Sequence, residues 1–74
     1  MRLPKDPDNW TGWHADKALA EARRLFDRYE ARIDFTWPQE RQDDLYRPYW
    51  HAREEAIAVA RYTGWRKAEA ECLP

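Results

Sequence analysis

His51 stands three residues before Glu54, with Glu55 alongside, and no other grouping in the 74-residue chain looks as much like a metal-ligand or acid–base pair. Carboxylate-bridged metal centres in helix bundles do place Glu and His three apart on one face. They draw such pairs from several helices, however, with further Glu residues pointing inward. The other histidine, His14, has Asp16 and Lys17 beside it and no Glu at a spacing of three. His51 is therefore expected on a solvated charged face, with no metal and no cofactor. No Ser/His/Asp set has a recognisable spacing, and two glycines in all leave no Gly-rich phosphate loop. The single cysteine, Cys72, cannot close an internal disulfide and has no candidate base nearby. These residues predict a protein that is not an enzyme and takes no small-molecule substrate.

Two other sets of residues suit macromolecular binding. Lys17, Arg24, Arg28 and Arg32 recur at i, i+7, i+11 and i+15, a basic stripe interrupted by Glu21 that could follow phosphates. Arg23, Arg41 and Arg47 could add to it, while Asp27, Glu30 and Asp34 oppose it. The stronger set is aromatic. Five Trp, four Tyr and two Phe face few large aliphatics, so rings must supply much of the buried area in a core or an interface. Trp, Tyr and Arg dominate binding hot spots, and the interaction candidates are Trp10, Trp13, Tyr49, Trp50, Tyr62 and Trp65.

Composition narrows the classes further. Charged residues make up 36% of the chain, yet the net charge is −1. Nucleic-acid and anionic-membrane binders rely on a surplus of cations, so protein is the preferred partner and nucleic acid the alternative. No 18-residue apolar run is available to span a membrane, and no apolar signal core is visible at the start. A cytoplasmic location is expected. Ten Arg against three Lys suggest a high-GC bacterial, plasmid or phage source.

The elements that position these residues read as all-α, within one small helical domain over 1–74. Pro4 and Pro7 make 1–10 an extended or loosely docked arm. Asp8, Asn9 or Thr11 can cap a helix over 11–33, and Gly12 places its start at or after that glycine. In it Ala15, Ala18, Ala22, Leu25 and Tyr29 step by three and four, and Glu21 and Arg24 are spaced to pair. The turn covers 34–37, where Thr36 and Gln39 read as a capping box. A second helix is predicted over 38–72. Its seam runs through Leu45, Tyr49, Ala52, Ala56, Val59 and Thr63, and Trp65, Ala68 and Cys72 prolong it past Gly64. Pro48 should kink this helix, since an internal proline costs about 3 kcal/mol. The alternative is a break there, giving a three-helix bundle.

Folding this pattern as an antiparallel hairpin about Phe35 brings Phe26 to Leu45, Ala22 to Tyr49 and Ala15 to Ala56. Trp10, Trp13, Tyr62 and Trp65 then close the open end. The echo Trp10-Thr-Gly-Trp13 and Tyr62-Thr-Gly-Trp65 is too short to mark a duplication. Helices of about 30 and 50 Å would leave much of the longer one uncovered. Dimerisation, or a different protein partner, is expected to complete the core. The functional expectation is a helical protein-binding module, an accessory or inhibitor protein acting through its aromatic face.

Overall fold

In the computed structural model, which describes residues 2–74, the chain is all-helical: α1 covers Gly12–Arg32, α2 Gln39–Thr63 and α3 Lys67–Glu71. Position 1 of the expected arm lies outside the described residues. The arm is not wholly extended, because Asp6 caps a 3₁₀ turn at Pro7–Asn9 by accepting the Asp8 backbone N–H at 3.0 Å. Asp8 is therefore not the cap of α1. Thr11 is, with an extended backbone, and its N–H donates to His14 Nδ1 at 3.0 Å. His14 thus takes the part that Glu or Gln plays in the usual capping box.

The capping box expected at Thr36 and Gln39 does not form. Asp34 Oδ1 accepts both the backbone N–H and the hydroxyl of Thr36, at 2.9 and 2.6 Å. This Asx turn engages the threonine before the helix can use it. Pro38 becomes the N-cap of α2, and Gln39 donates forward to Asp43 at 2.8 Å. Gln42 reaches back to the carbonyls of Trp37 (2.9 Å) and Phe35 (3.3 Å), which ties the connection to the first turn of α2.

α2 runs unbroken through Pro48, so the alternative of a break at this residue is corrected. The proline lies on an exposed surface, and the carbonyl it deprives of a donor, that of Asp44, belongs to an exposed residue too. Water can satisfy that carbonyl. The break comes at Gly64, sixteen residues later, and overturns the expected helix over 38–72. Gly64 adopts φ 72° and its N–H bonds the Ala60 carbonyl at 2.8 Å, the left-handed cap that glycine supplies without a Cβ clash. Arg66 is also left-handed, with φ 53°, a conformation costing a residue with a side chain about 1–2 kcal/mol. Its guanidinium is held by Asp16 at 2.5 Å and Glu69 at 3.2 Å. The reversal also re-pairs Glu71. Spaced for Lys67, it takes a hydrogen bond from Arg61 at 2.9 Å instead.

Shortened in this way, α2 nearly matches α1, at about 37 against about 32 Å. α1 packs against α2, and α2 against α3. The register lies one turn from the expected one: Phe26 meets Tyr49 and Tyr29 meets Tyr46, with ring centroids 4.9 and 5.2 Å apart. The first turn of α2 is occupied by the connection, so α1 pairs with residues further along. Ala18, Leu19 and Ala22 of α1 join Tyr49, Ala56, Ile57 and Ala60 of α2 in one buried cluster. Ala70 and Leu73 complete it from the returning segment. The chain therefore supplies a third covering element itself. Cα atoms span 43 × 23 × 14 Å, and in so thin a molecule the buried positions are mostly alanines, with Tyr49 and Val59 the largest fully buried side chains.

Candidate functional site

The six aromatic candidates separate into three environments. Tyr49 is core: it is 1% exposed, its hydroxyl donates to the Pro74 carbonyl at 2.6 Å, and burial raises its phenol above the ordinary range. It is not available at the surface as an interaction residue. Trp10, Tyr62 and Trp65 close the open end through specific contacts. The Trp10 indole donates to the Pro4 carbonyl at 2.9 Å, and its ring meets Tyr62 edge-on at 5.5 Å. The Tyr62 hydroxyl donates to Asp8, which raises the Tyr62 phenol above its ordinary value. Trp65 donates from its indole to Asp16 at 3.0 Å and lies across Gly12, where an added Cβ would meet its ring at 3.2 Å. Half of Trp65 stays exposed nonetheless.

Trp13 and Trp50 sit on the two long helices, whereas Trp65, also with a cation near its ring (Arg66 at 5.7 Å), sits in the reversal and is tied to Asp16. Trp13 is 60% exposed and does not join the other three rings; its neighbours are His14, edge-on at 5.2 Å, and the Lys17 ammonium 5.6 Å over the ring. It opens a surface groove on α1 with Lys17, Ala20, Glu21 and Arg24. Trp50 is 43% exposed, tilted against Tyr46 at 6.1 Å, with the Arg53 guanidinium 5.0 Å from its ring. Asp43, Tyr46 and Arg47 border it. Each indole is thus an apolar plate with a cation beside it, fixed on a long helix. Two rings outside the candidate set each have one half of this character, in the connection and not on a helix. Phe35 is 74% exposed, and Arg41 lies 4.2 Å over Trp37. Position in the turn was the available signal for Phe35, while Trp37 is half-buried.

The basic stripe does not present four free cations. Arg24 forks onto Glu21 with contacts of 2.6 and 3.1 Å, and this hydrogen-bonded pairing holds the Glu21 carboxyl below its ordinary value. Lys17 is engaged with Trp13, and Arg28 borders a cleft that Asp44 also lines. Arg32 occupies the last turn of α1, where a cation complements the helix dipole. The cleft at Arg28, between Leu25, Leu45, Pro48 and Tyr49, encloses about 90 Å³, below the range of small-molecule sites.

His51 and Glu54 are both exposed, and among the described residues no three His, Cys, Asp or Glu side chains converge on a possible metal position. No helix among them is long and apolar enough to cross a membrane. Comparison with known proteins gives no match: no family model, no curated protein and no solved structure aligns with this chain.

Proposed function

We propose that this chain is a non-enzymatic helical protein-binding module, an antiparallel α1–α2 hairpin that presents Trp13 and Trp50 to a partner. The observation that carries this reading is the pair of exposed indoles, 60% and 43% accessible, each with a cation beside it on a helical scaffold. Tryptophan and arginine at such positions supply most of the affinity in protein interfaces. The partner is a different protein or a second copy of the chain. An accessory or inhibitor role in a bacterium or one of its mobile elements fits the size and the arginine bias.

The test compares the wild type with Trp13→Ala and Trp50→Ala as immobilised baits in a bacterial lysate. Circular dichroism should show helix content unchanged in both variants, because neither ring belongs to the buried cluster. A protein retained by the wild type should be lost with at least one variant. Equal retention by all three baits would remove these rings from the interface and end the proposal. Retention that collapses with added salt and survives both substitutions would point instead to the cationic stripe and nucleic acid.

A further inference from the structure

α3 is five residues long, too short to hold helical structure by itself. What holds it is the groove along α1 and α2. Ala70 and Leu73 sit in the buried cluster with Leu19 and Tyr49, and Arg61 binds Glu71 at 2.9 Å. The Pro74 carbonyl accepts hydrogen bonds from Tyr49 Oη at 2.6 Å and Arg53 Nε at 3.1 Å. None of these contacts involves residues 64–66, which form the reversal. The reversal passes through two left-handed residues, Gly64 and Arg66, the only positive φ values among the described residues. Straightening it would exchange the partly exposed bonds of Trp65 and Arg66 to Asp16 and of Arg66 to Glu69.

The sequence across that reversal keeps the phase of α2. Ala56, Thr63 and Ala70 recur every seven residues, and Lys67 and Glu71 are spaced as a helical ion pair. With residues 64–66 right-handed, α2 and α3 would join into one helix of about 50 Å. The groove holding Tyr49 and Leu73 would then lose its occupant. The occupant that fits it is the same segment from another copy. In the closed chain α3 runs back along α2, with Glu71 by Arg61 and Pro74 by Arg53. A two-fold axis across a straightened helix recreates that antiparallel relation between one copy's α3 and the partner's α2.

We propose that α3 is an exchangeable element: two copies of this chain form a two-fold dimer in which residues 64–66 straighten and each α3 seats in the groove of the other. This association is independent of Trp13 and Trp50. Gly64 is the control point, since it has no atom within 4 Å of a built Cβ but carries a φ that alanine avoids. Gly64→Ala adds no clash and penalises only the closed form, by roughly tenfold per hinge and so about a hundredfold in the dimer association constant.

Arg23 and Cys72 line one cleft between α1 and α3, so full-length Arg23→Cys with the native Cys72 reports which chain supplies α3. After oxidation, a closed chain carries an internal bridge and runs at monomer mass without reductant. An exchanged dimer carries two bridges between chains and runs at dimer mass. The expected result is a dimer band that grows with protein concentration, grows further when Gly64→Ala is added, and disappears when Cys72→Ser is added. Bands at monomer mass in both Gly64 forms at every concentration would overturn the proposal. So would a dimer in sedimentation equilibrium whose bridges prove internal. Unoxidised Gly64→Ala gives an independent reading by sedimentation equilibrium, and a monomer throughout would also overturn it.

Discussion

The two ends of the α1–α2 pair are closed by different physics. At the connected end, Phe26, Tyr29, Tyr46 and Tyr49 form a continuous run of rings with neighbouring centroids 4.9–6.2 Å apart. At the open end few such ring contacts exist, and the arm and the reversal are fastened by single polar bonds: Trp10 to Pro4, Tyr62 to Asp8, Trp65 and Arg66 to Asp16. The first end relies on area removed from water. The second relies on partly exposed hydrogen bonds and ion pairs, each worth little singly and sensitive to pH and salt. A thin molecule has too few large aliphatics to close both ends in the first way.

Removing the ring at the centre of the first end should have the largest effect. Tyr49→Ala should cost about 3–5 kcal/mol and lower the thermal midpoint of the whole chain, followed by circular dichroism. Tyr49→Phe, which keeps the ring and loses only the Pro74 bond, should cost about 1 kcal/mol. Similar losses for both would mean that the hydrogen bond, and not ring packing, secures that end.

Asp16→Ala sharpens the contrast from the other side. It removes the acceptor shared by Trp65 and Arg66, yet both groups are partly exposed, so global stability should fall by no more than about 1 kcal/mol. Its signature should be local: a shift in tryptophan emission and faster protease cleavage around residues 64–66. A loss as large as that of Tyr49→Ala would abolish the distinction between the ends.

The smallest effect is a pH dependence confined to the open end. The Tyr62 phenol is raised from its ordinary value of 10.0, chiefly because its hydroxyl donates to Asp8. A raised value means that the folded chain holds this proton more tightly. The contribution is therefore complete below pH 10 and is lost as pH climbs through the folded value. Trp10 emission should change in that alkaline range while helix content holds, and Tyr62→Phe should remove the transition.

The same contrast explains what the sequence disclosed. α1 was legible to within a residue or two, since alanine, leucine and charged residues at three-and-four spacing leave one reading. The seam of α2 was legible too, and it put Tyr49 in phase with Ala56 and Val59; all three are buried. The end of α2 was not legible, because helical phase continues through Gly64 and the choice between a tolerated glycine and a left-handed cap depends on what α3 finds to pack against. Ala70 and Leu73 therefore went unnoticed as core residues. The repeated Thr-Gly-Trp makes the point locally. Thr11-Gly12 opens α1, whereas Thr63-Gly64 closes α2, so three identical residues take opposite roles according to what surrounds them. At the candidate site, residue type grouped Tyr49 with Trp13 and Trp50, although helical phase already placed Tyr49 on the seam that is buried.

The bonds that fasten the open end join residues far apart along the chain: Asp8 with Tyr62 across 54 positions, Asp16 with Trp65 across 49. Tyr29 and Tyr46, by contrast, meet across the short connection. Closing a long loop costs more chain entropy than closing a short one, so the rings beside the connection are the natural nucleus and the arm and α3 dock last. Defects near Tyr46 and Tyr49 should then slow folding. Defects at Asp8, Asp16 or Gly64 should leave that rate alone and hasten unfolding, making the open end the gate through which the folded chain comes apart.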